Sequence, residues 1–339
     1  MITDPSVSGP HDPIQPASPR RPGSVRRTST IDTFRPHGFD AEADVMGRAR
    51  DLLTTAEGDA RVLGTAELTA RLQARSHDLL AIDTDPAAPA LQELLGAIVG
   101  PGFRAKVDGV VAERRDRGDL LYLLLDDLPG ATLVAGYAML HAGMVPKPSD
   151  DEYLIARSNL CAGWAADGAM MTLIREHGRS PAPLGCEAPP VARADDPDAW
   201  HDLPDLAPNA MRRLRRLDVM PPSSDGEPAS VDVFFRDSHV DGEGHETIVH
   251  EYSVTASVDV ATRTVLAIDA HADVLPWQEC PQATGSAPRL VGHTLAGLRP
   301  YVRGEFIGTT TCTHLNDVLR GLTDVDHMLD DALANRAAS

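Results

Sequence analysis

Residues 250–270 read HEYSVTASVDVATRTVLAIDA, and this stretch decides the fold of the chain. Polar and β-branched or apolar residues alternate through 250–260, a pattern typical of a strand with one buried face. Residues 261–263 predict a turn, and 264–270 predict a returning strand. The stretch therefore predicts an antiparallel hairpin.

A related hairpin lies 186 residues earlier, in 65–75 and 79–83. When 26–83 are aligned with 212–269 without a gap, 16 of the 58 positions are identical. Composition alone gives about one identity in fifteen to twenty positions. We therefore predict an internal duplication, with two units that pack about a pseudo-twofold axis.

Helical sequence follows each hairpin, so each unit consists of antiparallel strands and then helices. The predicted fold is an α+β pseudo-dimer with a helical insert between the units. The helices are predicted over 90–99, 103–113 and 120–128 in the first unit, and over 287–298 and 315–329 in the second.

The composition shifts along the chain predict four regions. Residues 1–25 are rich in Pro, Ser and Arg and predict a disordered tail. The repeat units span 26–130 and 212–330. The insert, 131–211, predicts helices over 135–143 and 158–176 and an irregular stretch over 181–208, and we expect it to cover the groove between the units.

Bulk composition excludes several classes of function. The chain has 339 residues and a net charge of −19, which argues against nucleic acid and anionic membranes as partners. No run of 18 apolar residues and no apolar N-terminal core occur, so neither a membrane span nor a secretory signal is expected. Four cysteines are too few for a disulfide framework, and we expect a cytoplasmic protein.

Several charged residues occur in both copies. Arg26-Arg27 aligns with Arg212-Arg213, and Arg50-Asp51 aligns with Arg236-Asp237. Such residues predict pairing across the strands or across the pseudo-twofold interface, and a paired substrate clamp is the alternative. Their presence in both copies argues against a catalytic role limited to one site.

Cysteine and histidine in the helical half distinguish the second copy from the first. Cys280, Cys312 and His314 lie where the first copy has neither residue type. Cys312 precedes a predicted helix, whose dipole favours a thiolate. His314 and Asp317 are three residues apart and share a helix face.

Three interpretations of this group stay open. In the first, Cys280, Cys312 and His314 bind zinc or iron, with Asp317 or His293 as the fourth ligand. In the second, Cys312 is a nucleophile and His314 an acid–base group that Asp317 orients. In the third, the residues are only part of the core.

The remaining candidates are pocket residues. Cys161 and Trp164 lie among small residues and, with His293, are predicted to line a substrate pocket, although a packed core helix is the alternative for the first two. His245 and His250 are five apart on a strand, which predicts opposite faces and no shared site.

The chain resembles the family called domain of unknown function 2889 over nearly its whole length except the tail. The segments that carry this resemblance are 26–32, 161–165, 211–219, Cys280-Pro281 and Cys312-Thr313-His314-Leu315. The family name implies no activity.

The second unit is also similar in architecture to iron–sulfur scaffold proteins of the NifU type. Cys280 matches their second cysteine, and the Cys312/His314 region matches their His–Cys pair in reversed order. Their first cysteine has no counterpart here. This resemblance implies a metal site.

These observations lead to one main functional prediction and two alternatives. The main prediction is an enzyme of small-molecule metabolism, of lyase, isomerase or cyclase type, with its Cys/His site in the second unit. The alternatives are a non-catalytic metal-binding or scaffold-like protein and a structural or interaction protein. The expected cofactor is zinc or iron, the expected partner is a small-molecule substrate, and a homodimer is left open.

Overall fold

A computed structural model describes residues 4–15, 18–144, 157–183, 185–224 and 226–338. It confirms the α+β class, with one eight-stranded antiparallel sheet and helices packed against it. The strands are β1 Val25–Phe34, β2 Ala43–Thr54, β3 Ala60–Leu72, β4 Leu79–Asp85, β5 Met211–Met220, β6 Ala229–Val240, β7 Glu246–Asp259 and β8 Thr264–Val274.

Helices follow the strands in each half. The α-helices are α1 Phe103–Val110, α2 Ala112–Asp116, α3 Leu120–Ala135, α4 Tyr137–His141, α5 Ala169–His177, α6 Leu295–Glu305, α7 Thr313–Gly321 and α8 Val325–Ala338. Shorter 3-10 helices are Pro5–Val7, Pro89–Leu94, Ala162–Trp164, Pro197–Ala199, Cys280–Leu290 and Leu322–Asp324.

The strand order is β4-β3-β2-β1-β5-β6-β7-β8, so the two halves meet at the β1–β5 pair. The bounds of β1 and β2, moved by 186 residues, coincide with those of β5 and β6. The register shift after Asp51 in the first half recurs after Asp237 in the second, again 186 residues later. These repeated positions are consistent with the duplication inferred from the sequence.

The sheet is covered on both faces at its centre. Neighbouring residues of a strand point to opposite faces, and Arg27 contacts the segment before α8 whereas Arg26 contacts Ala199 of the insert. The helical face holds the two largest apolar clusters, one in each half. On the other face, Trp200 of the insert packs against Phe234 of β6.

The segment before β1 is ordered in its described residues, contrary to the predicted disordered tail. His11 forms an isolated bridge to Val274 of β8, and the Ile14 amide donates to Glu251. Arg20 forms an ion pair with Asp196 at 2.7 Å. The polar composition was misleading because these residues bind the sheet through hydrogen bonds rather than through apolar contacts.

Three predicted helices differ in the structure. The stretch 90–99 forms only the 3-10 helix Pro89–Leu94, and 287–298 is divided between Cys280–Leu290 and α6. Gly292 has φ +85°, a left-handed backbone that interrupts a helix. The predicted helix 158–176 begins as an irregular segment, and only α5 is α-helical in its described part.

One helical stretch of the described chain, Leu120–His141, is long and apolar enough to cross a membrane by those two measures alone. However, 78% of its most apolar window is buried inside the protein. It is therefore placed as the core helices α3 and α4.

Candidate functional site

The arginine–aspartate pairs at the β1–β5 junction join the two halves. Arg26 Nε lies 2.6 Å from Asp218 Oδ1, and Arg212 Nε lies 2.7 Å from Asp32 Oδ1. The two pairs are related by exchange of the halves, because each residue has its counterpart 186 positions away. This is the structural pairing that the sequence predicted.

A second related pair leads from the junction to the site. Arg27 binds Asp51 in the first half, and Arg213 binds Asp237 at 2.8 Å in the second. Arg213 continues to Asp317 of α7, 2.7 Å away. Asp237 is therefore fixed on its β6 strand by a buried guanidinium that also binds the helix carrying His314.

Asp317 does not have the role predicted for it. Its two carboxylate oxygens bind the guanidinium groups of Arg213, Arg104 and Arg320 rather than His314. Burial raises its pKa, but these arginines outweigh burial and lower the pKa far below the ordinary value. Asp317 is thus a member of a buried ionic network that connects α3, α6 and α7, whose other members include Asp126, Asp127, Arg215, Arg299 and Arg303.

The thiols converge, but they are not activated. Cys161, Cys280 and Cys312 interact around the buried Tyr252, and the Ala162 amide donates to Thr311 beside them. Burial raises the pKa of all three thiols, to about 12 for Cys161. The predicted thiolate at the start of α7 is therefore wrong, because desolvation outweighs the amides and the Tyr252 hydroxyl that favour the charged form of Cys312.

His314 points to the sheet and not to the predicted cysteine ligand set. Its ring stacks on the ring of His250 from β7, with centroids 3.7 Å apart. Its Nε2 lies 3.8 Å from Asp237 Oδ2, and Nδ1 of His250 lies 3.6 Å from the same oxygen. Within the described part of the chain, Asp237, His250 and His314 are the one group whose ligand atoms lie within 4.8 Å of one another, so the predicted metal set with Cys280 and Cys312 is corrected.

Electrostatics keep this group in the form that binds a cation. Burial lowers the pKa of His314 to about 3, and the neighbouring His250 lowers it further in the same direction, so the ring is neutral at pH 7. Burial raises the pKa of Asp237, but Arg213 and His250 outweigh it and bring the value to about 2. A neutral imidazole and an ionised carboxylate are the states in which both groups ligate metals.

Two nitrogens of the group lack hydrogen-bond partners. His250 Nδ1 and His314 Nε2 are buried and unpartnered within the described residues. Nearly all buried polar side-chain atoms are hydrogen-bonded, so each exception needs an explanation such as an ion. The side chains of His250 and His314 keep 10% and 13% of their exposure, which leaves the group an edge towards solvent.

The predicted pocket residues lie in different surroundings. His293 stacks on Tyr301 at 4.0 Å, and its backbone pairs with Val265 at the start of β8. Trp164 is half-buried on the insert beside Arg157. Of the predicted pocket residues, only Cys161 approaches Cys312.

Sequence reasoning missed Asp237 and His250 as site residues. His250 was rejected because it was compared only with His245, which instead contacts Asp241 at the surface. The duplication held the missing signal: the residue aligned with His250 in the first half is Gly64, and the residue aligned with His314 at the local offset of 190 is Leu124. Asp237 gives no such contrast because its counterpart is Asp51.

Residues 211–327 match the model of one protein family, described as a protein of unknown function (DUF2889). The match begins with β5 and ends within α8, so it contains Asp237, His250 and His314. It confirms the resemblance to domain of unknown function 2889 for this part of the chain. No curated protein and no solved structure matches the chain, and the resemblance to NifU-type proteins stays a prediction.

Proposed function

We propose that this protein binds one divalent transition-metal ion, zinc or iron(II), through Asp237, His250 and His314. The observation that carries the proposal is the pair of buried, unpartnered imidazole nitrogens beside one ionised carboxylate. Two histidines and one carboxylate are the ligand set of many catalytic zinc sites and of non-haem iron sites. Arg213 would hold the carboxylate in place from behind.

We further propose that the metal serves an enzyme of small-molecule metabolism, of lyase, isomerase or cyclase type. Three protein ligands leave coordination positions for water or substrate, which distinguishes catalytic from structural zinc sites. A bound ion supplies Lewis-acid polarisation of a substrate oxygen. The residual exposure of the two histidine rings supports access from the solvent side.

A non-catalytic metal-binding protein is the second candidate. The burial of the ligands favours it, since Asp237 has no exposed surface and His250 is 8% exposed. A structural ion would contribute directly to folding. We keep a cytoplasmic location in the proposal, supported by the four free cysteines, and a homodimer remains open.

The direct test is elemental analysis of the purified, tag-free protein and of two ligand variants. Wild-type protein should carry about one zinc or iron per chain, and His250→Ala and His314→Ala should each lose it. His245→Ala is the matched control, because His245 lies four residues before β7's other histidine-side contact and is 71% exposed. Wild-type protein that binds neither ion on titration would refute the metal site.

Chelation separates the two candidates. If the ion is catalytic, its removal should lower the melting temperature by only a few degrees and leave circular dichroism unchanged. If the ion is structural, the same treatment should unfold the second half of the chain. The matched control is His314→Ala treated in the same way, which should show no further change.

A further inference from the structure

We propose that Cys312 is a positioning residue that, together with Tyr252, sets the tautomer of His314 and thereby the metal affinity of the site. This inference rests on the proposed function. It gives the buried thiol a role that needs neither nucleophilic attack nor direct ligation.

The contacts run in one line from the core to the site. Cys312 Sγ lies 3.8 Å from His314 Nδ1, within the range of a sulfur hydrogen bond. The opposite ring nitrogen, Nε2, is the one that faces Asp237. On the far side of the sulfur, the hydroxyl of Tyr252 interacts with the same thiol and has no partner of its own among the described side chains.

The position of one proton decides whether His314 can bind a metal. A neutral imidazole carries a proton on one ring nitrogen only, and the hydrogen bond made by the other nitrogen fixes which one. If Nδ1 donates its proton to the sulfur, the lone pair of Nε2 faces Asp237 and is free for an ion. If the thiol donates to Nδ1 instead, Nε2 carries the proton and cannot ligate.

Tyr252 selects between these two arrangements. Its oxygen gives the thiol proton of Cys312 an alternative acceptor, so the sulfur lone pairs remain available to the Nδ1 proton of His314. Tyr252 has no exposed surface and Cys312 is 4% exposed, so water does not compete for these bonds.

The comparison of the two halves supports a linked role. Tyr252 aligns with the buried Ala66 of the first half, and His250 aligns with Gly64. At the local offset of 190, Cys312 and His314 align with Tyr122 and Leu124. The half without the histidine pair thus also lacks the thiol and the hydroxyl at these places.

The test compares metal affinity in Cys312→Ala, Cys312→Ser and Tyr252→Phe, measured as Kd for Zn²⁺ by competition with a chelator. Cys312→Ala and Tyr252→Phe should each raise Kd about 10- to 100-fold, the usual effect of losing a group that orients a ligand. Cys312→Ser keeps an acceptor for the Nδ1 proton and should stay within about threefold of the wild type. Cys186→Ala removes a thiol elsewhere and is the control.

A second measurement reads the tautomer without metal. Long-range ¹H–¹⁵N correlation spectra of the metal-free protein should place the His314 proton on Nδ1 in the wild type and on Nε2 in Tyr252→Phe. A change in packing alone would not move this proton, and thermal unfolding of each variant verifies that it is folded.

The outcomes distinguish this inference from the metal proposal. If the wild type binds Zn²⁺ while folded Cys312→Ala and Tyr252→Phe bind it equally well, the positioning role is overturned. If Cys312→Ser is as weak as Cys312→Ala, or if the tautomer is the same in Tyr252→Phe, it is overturned as well. If no variant and no wild-type protein binds metal but the tautomer shifts as expected, only the metal proposal fails.

Discussion

Gly130 shows how tightly single residues are constrained near the ionic network. It lies within α3, where alanine normally stabilises a helix relative to glycine by about 0.5–1 kcal/mol. A Cβ atom at this position would meet Asp317 Oδ2 at 2.2 Å and Arg213 Nη1 at 2.3 Å. The backbone of α3 therefore approaches the ion pair that supports Asp237.

We predict that Gly130→Ala lowers the free energy of unfolding by at least about 2 kcal/mol, because it displaces a buried ion pair. Gly109→Ala is the matched control on α1, where a Cβ atom meets nothing within 4 Å. That variant should be neutral or slightly stabilising. Urea unfolding of both variants measures the difference, and equal stability would contradict the close packing of α3 on Asp317.

At the scale of elements, β1 and β5 hold the molecule together through charged side chains. Asp32 has no exposed surface, and both of its oxygens accept bonds from Arg212 at 2.7 Å. Removing one partner of a buried pair leaves the other charge uncompensated, which costs about 3–5 kcal/mol. An exposed pair of the same residue types contributes little.

We therefore predict that Asp32→Asn destabilises the protein by about 3–5 kcal/mol. Asp40→Asn breaks the exposed pair with Arg75, whose partners are 67% and 65% exposed, and should change stability by less than about 0.5 kcal/mol. Denaturant unfolding monitored by circular dichroism gives both values. A small effect of Asp32→Asn would mean that the β1–β5 junction depends on its backbone ladder instead.

At the scale of the whole molecule, buried neutral histidines make folding sensitive to acid. His201 accepts or donates bonds with Thr28 and Thr30 beneath the insert, and burial lowers its pKa to about 3. Burial and the neighbouring His141 lower the pKa of His239 to about 4, and that of His314 is about 3. In the unfolded chain these rings titrate near pH 6.5.

Because the unfolded chain binds these protons first, the stabilisation is complete above about pH 6.5 and declines as the pH falls towards 3. Between pH 6.5 and pH 5 each buried histidine should cost up to about 2 kcal/mol. His201→Gln should reduce this pH dependence by about one proton, whereas His245→Gln, at a site 71% exposed, should not. Unfolding curves across this pH range measure both slopes, and identical slopes would contradict a buried neutral His201.

The sequence by itself determined the plan of the protein. Its repeat at an offset of 186 predicted strands followed by helices, and the hairpins 65–83 and 250–270 are present. The contrast between the copies directed attention to the second half and to His314. These features depend on local periodicity and on alignment of the chain with itself, which the linear sequence contains.

Only the tertiary structure decided which residues meet His314. Asp237 and His250 lie opposite each other on β6 and β7 at a register shift, and α7 brings His314 over them. The sequence cannot show this meeting, because it depends on how a helix packs across strands far from it in the chain. Burial likewise decided that Cys312 remains a protonated thiol and that Asp317 binds arginines, since the energy of a charge depends on its solvation and its neighbours.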